Sequence, residues 1–134
     1  MTLLLEEVLV GARTIYGEAR DQPYEGMKAI GHVLINRTQL KKGDADHSIA
    51  AAALRWLQFS AWNENDPNRE RLELVTVDNP KYRLAIRAML EAIDELDFTL
   101  GARWYHTTMS NPKWSQGKQA CLTIGGHEFY NNID

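Results

Sequence analysis

Three stretches of the chain return apolar residues at helical spacing, and together they commit most of it to a helical body. Over residues 3–19, Leu4, Val8, Ala12, Ile15 and Ala19 fall on one face, with Thr2 placed to cap. A second helix is predicted from about Glu25 to Leu40, with Met27, Ile30, Val33 and Leu34 inward, after Pro23 and the Gly17 and Gly26 neighbourhood break the chain. A third begins at Pro80, capped by Asp78 or Asn79, and turns Tyr82, Ala85, Ile86, Met89, Ile93 and Leu96 inward. Between the second and third, Lys41-Lys42-Gly43-Asp44 reads as a turn and Ser48 as the cap of a short Ala-rich helix over 49–57. Residues 58–79 read as a polar, irregular connection and a candidate functional loop. Near the end, residues 120–124 and 127–130 flank Gly125-Gly126, a two-residue hairpin signal. The predicted fold is mainly α with a small C-terminal β-hairpin, an α+β single domain.

The chain has 134 residues, one domain's worth, so residues 1–134 are expected to form a single unit. With 44% hydrophobic and 25% charged residues it is neither disordered nor fibrous. The single Cys121 can make no internal disulfide. Fifteen Lys plus Arg against eighteen Asp plus Glu give a net charge of −3, which disfavours nucleic acid as a partner. The N-terminus lacks a positive n-region, and Glu6 and Glu7 interrupt its apolar run, so neither a signal peptide nor a membrane insertion is expected. The expectation is a monomer held in the cytoplasm until released.

One carboxylate stands out. On a wheel of about 100° per residue, Glu18 lies about 40° from Leu4, at the margin of the apolar stripe and above the small Gly11. Partial desolvation there favours the neutral acid, which is the form a general acid requires. Tyr16 is a candidate wall beside it. The plainer reading is a solvated helix-end Glu paired weakly with Arg20.

Aromatic and amide side chains cluster in residues 56–63 (Trp-Leu-Gln-Phe-Ser-Ala-Trp-Asn), in Trp104-Tyr105-His106 and at Trp114. Apolar ring faces beside amide and hydroxyl donors suit a sugar, although each Trp alone could simply close the core under a loop.

Four blocks carry a resemblance. They are residues 12–20 (Ala-Arg-Thr-Ile-Tyr-Gly-Glu-Ala-Arg) with Pro23-Tyr24-Glu25-Gly26 and Val33-Leu34-Ile35-Asn36-Arg37, then Gln58-Phe59-Ser60 with Trp62. Gly101-Ala102, Tyr105-His106, Pro112 and Trp114 form the third, and Ile124-Gly125, His127 and Phe129-Tyr130 the last. In this order they resemble the SleB/CwlJ-type cell-wall hydrolases over about residues 12–130. The sequence departs from that pattern at Asp21, at Arg55-Trp56-Leu57 and at Arg103-Trp104.

The resemblance implies a lysozyme-like fold that cuts peptidoglycan glycan strands between N-acetylmuramic acid and N-acetylglucosamine. It implies lytic transglycosylase chemistry with Glu18 as catalytic acid and no cofactor or metal. Substrate contacts are expected at Tyr16, Asn36, Gln58, Phe59, Ser60, Trp62, Tyr105, His106 and His127. The alternative role for such side chains is buried hydrogen bonding that fixes loops to helices. A hydrolytic outcome would need a second carboxylate, for which Asp21 and Glu25 are nearest in sequence.

Three rival readings remain on the residues alone. A zinc amidase would use His32, His47, His106 and His127, which lack the spacing of a metal motif. A Cys-His peptidase would use Cys121 with His106 or His127, although Cys121 falls in an apolar strand where thiols are usually inert. A glycan-binding module would keep the aromatics and not need Glu18. A cell-wall enzyme without an export signal would fit a phage endolysin or a lysin carried by a particle.

Overall fold

A computed structural model describes residues 5–39, 48–54 and 68–133. Its elements run α1 (Leu5–Ala19), α2 (Tyr24–Arg37), α3 (Ile49–Leu54), α4 (Asn68–Leu74), α5 (Pro80–Asp94), β1 (Trp104–Thr107), a 3-10 turn (Lys113–Ser115), β2 (Leu122–Ile124) and β3 (His127–Tyr130). The fold is mainly helical with one small antiparallel sheet. No described helix is long and apolar enough to cross a membrane.

The helical body is built on α1, α2 and α5, with α5 packed against both others. Small residues permit the close approach. A Cβ on Gly31 of α2 would sit 2.9 Å from the Ala92 Cβ of α5, and one on Gly11 of α1 would sit 2.6 Å from the Met89 sulfur. Around these contacts Val8, Ala12, Ile15, Met27, Ile30, Leu34, Tyr82, Ala85 and Met89 form the buried core. Asn79 caps α5 by accepting from the Lys81 and Tyr82 N–H groups, with Pro80 in the first turn. Ser48 caps α3 through the Ala51 N–H at 3.0 Å.

The helix boundaries and one assignment differ from expectation. Helix α2 stops at Arg37, and Thr38 forms its C-cap. Helix α5 ends at Asp94 because Glu95 turns extended, which leaves Leu96 93% exposed rather than inward. The stretch read as irregular contains α4. This helix is short, turns Leu72 inward and is followed by the buried Val75, so it shows little periodicity. Its C-terminal end is held by Arg13, whose guanidinium donates to the Leu72 carbonyl at 3.1 Å and the Val75 carbonyl at 3.5 Å.

The expected hairpin forms as β2 and β3, but a third strand joins it. The sheet order is β1-β3-β2, with β3 central. Tyr105 pairs with Phe129 and Thr107 with His127 across β1 and β3, while Leu122 pairs with Phe129 and Ile124 with His127 across β2 and β3. Strand pleating then puts Tyr105, Thr107, Leu122, Ile124, His127 and Phe129 on one face. Trp104, His106, Thr123, Glu128 and Tyr130 lie on the other.

The approach to β1 is fixed by Asp97. Its carboxylate accepts the Thr99 N–H at 2.7 Å, the Thr99 hydroxyl at 2.6 Å, the Gly101 N–H at 2.9 Å and the Asn36 amide at 3.0 Å. Leu100 and Gly101 both take positive φ in this loop.

Candidate active site

Helix α1 delivers Glu18 into its last turn, one residue before the buried Ala19. Glu18 itself is half-buried, as its place on the margin of the apolar face requires. The turn beyond it is anchored by the Gln22 N–H to the Ala19 carbonyl at 3.0 Å. The sheet meets this end of the helix because the Gln22 side-chain oxygen accepts the Gly126 N–H at 2.8 Å.

Tyr105, from β1, is the group that answers Glu18. Burial, and then the charge of the nearby Glu18 carboxylate, push the phenol well above its ordinary range. The Tyr105 ring is met edge-on by His127 at 5.2 Å between centroids and lies tilted against Phe129 at 5.9 Å. His127 is 2% exposed. Burial, and then the charge of His106, push its imidazole below the usual histidine range, so it is neutral at pH 7.

Glu18, Tyr105 and His127 are thus brought together, while the other expected contacts are distributed elsewhere. His106 projects from the opposite face of the sheet. Its Nδ1 lies 2.7 Å from the Thr107 carbonyl and its Nε2 2.9 Å from the Tyr130 hydroxyl, and its ring packs on Trp114 at 5.4 Å. Asn36 is buried and donates to Asp97 at 3.0 Å and to the Ala102 carbonyl at 2.9 Å, which fixes the loop leading into β1.

Tyr16 does not wall Glu18. Two residues apart on a helix is a rotation of about 200°, and Tyr16 faces the other flank of α1. There its hydroxyl accepts from the Asn79 amide at 3.1 Å and its ring meets Tyr82 edge-on. An open cavity of about 430 Å³ adjoins that flank, lined by Tyr16, Glu70, Arg71, Leu74, Val75 and Asn79. Gln58, Phe59, Ser60 and Trp62 lie outside the described residues.

The candidates for a second carboxylate have their own surroundings. Asp21 is exposed in the turn, and Glu25 is exposed and pairs with Lys28 at 3.4 Å. Glu128 occupies the sheet face opposite Tyr105, 3.7 Å from His106.

The rival chemistries find no assembled centre among the described residues. No three His, Cys, Asp or Glu side chains converge there as metal ligands. His32 is buried against Glu95, with Nε2 at 3.0 Å, and edge-on to Phe98. The Cys121 thiol lies 3.4 Å from the Thr99 and Phe129 carbonyls, and burial raises it above the ordinary thiol range, as for an inert packed cysteine.

Sequence reasoning missed two residues that build the site. Gln22 ties the hairpin to α1, and nothing local marks it. Asp97 organises the entry to β1, and the Asp-x-Thr spacing before Gly101 is a usable signal of a side-chain-to-backbone turn.

Comparison with known proteins bears on the whole chain. The model of the cell wall hydrolase family matches residues 21–130, a span that begins three positions after Glu18. The spore cortex-lytic enzyme of Bacillus subtilis (strain 168) is 32% identical over 120 residues, covering 88% of this chain and 35% of that protein. The spore cortex-lytic enzyme of Halalkalibacterium halodurans is 27% identical over 126 residues, covering 93% of this chain and 34% of that protein. The chain therefore spans about a third of the length of these curated relatives. Among solved structures, the catalytic domain of the Bacillus cereus SleB protein superposes with a TM-score of 0.77 at 24% identity, covering 97% of this chain and 93% of that one. The catalytic domain of the germination-specific lytic transglycosylase SleB from Bacillus anthracis gives 0.77 at 24% identity, covering 96% and 97%. These likenesses establish the fold. An endolysin-like release from the cytoplasm draws no support from relatives that are spore cortex-lytic enzymes.

Proposed function

The chain belongs to the cell wall hydrolase family, and from that premise we propose that it is a catalytic domain, acting as a monomer, that cleaves peptidoglycan glycan strands as a lytic transglycosylase. The bond cut is the β-1,4 link between N-acetylmuramic acid and N-acetylglucosamine, and Glu18 is the one catalytic carboxyl group. The observation that carries this reading is the placement of Glu18, half-buried at the end of a rigid helix with a neutral phenol beside it.

Partial burial favours the neutral acid, which protonates the glycosidic oxygen as the bond to the muramic anomeric carbon breaks. The muramic ring becomes oxocarbenium-like, and its own N-acetyl carbonyl oxygen stabilises the anomeric carbon from the opposite side. Glu18, now ionised, accepts the proton of the muramic 6-hydroxyl as that oxygen bonds to the anomeric carbon. The products are a free 4-hydroxyl on one fragment and a 1,6-anhydromuramic end on the other, with no water consumed. One carboxyl group serves as acid and then as base. Glu25 is paired with Lys28 and Glu128 lies beside His106, which leaves Glu18 as the carboxyl group this reading uses.

Glu18→Gln is expected to keep the fold and lower the rate on purified cell walls by at least about 100-fold. A variant that digests walls at the parent rate refutes the assignment. Mass spectrometry of the parent's products separates the two chemistries, since anhydro ends weigh one water less than the reducing ends a lysozyme leaves. Running it on spore cortex and vegetative walls in parallel reads the substrate preference.

A further inference from the structure

The cavity of about 430 Å³ on the Tyr16 flank of α1 has no part in the chemistry proposed for Glu18. Its volume falls within the range of small-ligand sites, roughly 300–1,000 Å³. Helix α4 forms one wall. Glu70, Arg71 and Leu74 line it together, because Leu74 follows them by four and three residues on the helix. Arg69, on the same helix, pairs with Glu73 at 3.1 Å. Glu70 and Arg71 make no side-chain hydrogen bond or ion pair among the described residues. Leu74 is 68% exposed, and Val75 adds a second aliphatic surface.

The α1 side of the cavity is held firmly. Tyr16 is 6% exposed, with its ring edge-on to Tyr82 and the Arg20 guanidinium over it at 5.2 Å. Its hydroxyl accepts from the Asn79 amide at 3.1 Å, while the Asn79 side-chain oxygen is spent on the Lys81 and Tyr82 N–H groups. A phenol that accepts one bond still has its own hydrogen to donate. Among the described residues no group accepts it. A buried donor left over at a cavity wall is satisfied by an acceptor on a ligand.

We propose that this cavity binds a residue of the peptide carried by the glycan strand, one whose aliphatic side chain ends in both an ammonium and a carboxylate group. The Tyr16 hydroxyl and the Arg71 guanidinium donate to that carboxylate, and the Glu70 carboxylate accepts from the ammonium. Leu74 and Val75 cover the methylene groups. The inference deepens the proposed function by naming the peptide of the substrate, and it rests on that reading. Tyr16 and Glu18 stand on different flanks of α1, and the half-exposed Gly17 between them adds no side chain. Half the circumference of a helix about 10 Å across is about 16 Å, which about five extended residues span. A peptide of that length on a sugar at Glu18 reaches the cavity.

The probes are three N-acetylated, C-amidated Ala-Glu-X tripeptides. X is diaminopimelate, with both groups, lysine, with the ammonium alone, or 2-aminopimelate, with the carboxylate alone. Titration followed by amide NMR is expected to show the diaminopimelate peptide binding about fivefold tighter than either other, with shifts centred on residues 71–79. Arg71→Ala should bring that peptide down to the lysine one, and Glu70→Gln down to the aminopimelate one. Both side chains are exposed, so neither change threatens the fold.

Equal affinities for the three peptides, no binding, or shifts confined to other elements overturn the proposal. On glycan strands the two variants should lose the parent's preference for diaminopimelate over lysine peptides and keep its rate on peptide-free glycan. An equal loss on all three substrates also overturns it. A parent that cuts no glycan removes the underlying reading, while the tripeptide titration still decides this site.

Discussion

The side-chain oxygen of Gln22 accepts the backbone N–H of Gly126 at 2.8 Å, so residues 104 positions apart lock the tip of the hairpin to the turn after Glu18. The fit is tight. Gly125 takes φ +54°, and a Cβ there would lie 2.5 Å from the Gln22 oxygen and 2.8 Å from the Pro23 ring. Positive φ at the first central residue alone is the pattern of a type II′ turn, which favours glycine there.

Gly125→Ala therefore meets both backbone strain and a clash with a ring that cannot swing away. It is expected to destabilise the fold by about 1–3 kcal/mol. Thermal unfolding checks this, and a melting temperature equal to the parent's contradicts it. Gln22→Ala removes the bond without the clash and should cost less, about 1 kcal/mol.

Gly31 lets α2 and α5 touch. Gly31→Ala places a Cβ 2.9 Å from the Ala92 Cβ, with no flexible side chain to yield. The expected cost is about 1–3 kcal/mol, and adding Ala92→Gly should recover part of it. Denaturant melts of the single and double variants measure the coupling.

Asp97→Asn puts an amide N–H₂ among the donors of Thr99, Gly101 and Asn36, so at least one of those groups loses its acceptor. A loss of about 1–3 kcal/mol is expected. Since the same loop leads into β1, faster amide exchange at 104–107 should accompany it, and unchanged exchange there would show that the loop does not govern the strand.

The titrating groups make the fold sensitive to acid in two steps. His127 is held below the usual histidine range, so folding opposes its protonation and stability falls as pH drops from about 6.5 towards its depressed value. Burial works to raise Asp97 and Glu95, but hydrogen bonds to Asp97 from Thr99, Asn36 and Gly101, and to Glu95 from His32 and Lys28, outweigh it and hold both below the usual range. Their stabilisation is complete above the ordinary carboxylate values near 4 and is lost as pH falls through the depressed ones. Melting temperature against pH should show both arms. His127→Phe should flatten the upper one, and an unchanged upper arm in that variant would assign it elsewhere.

The helical body was legible because Val8, Ala12, Ile15 and Ala19, and the corresponding sets on α2 and α5, bury a continuous stripe that needs no partner to be recognised. Asn79 and Pro80 marked the start of α5 for the same local reason. What could not be read depends on distant partners. Strand β1 is four residues long, and its place beside β3 is fixed by pairing across 20 to 26 positions. Helix α4 packs through Leu72 and borrows Arg13 to satisfy its last carbonyls.

At the site, Glu18 on the apolar margin was visible from the wheel, and the Gly125-Gly126 turn from its residues. That Tyr105 rather than Tyr16 stands beside Glu18, and that Asn36 is spent on the Asp97 loop, follow from sheet register and loop geometry that no local pattern encodes.

Because β1 and β2 touch only through β3, neither can be fastened until residues 127–130 have been synthesised. During translation the helices can gather early, but the phenol facing Glu18 has no anchored strand until that late segment slides between its neighbours. A nascent or clipped copy ending before it would keep its helices but lack the strand that holds β1 and β2 together.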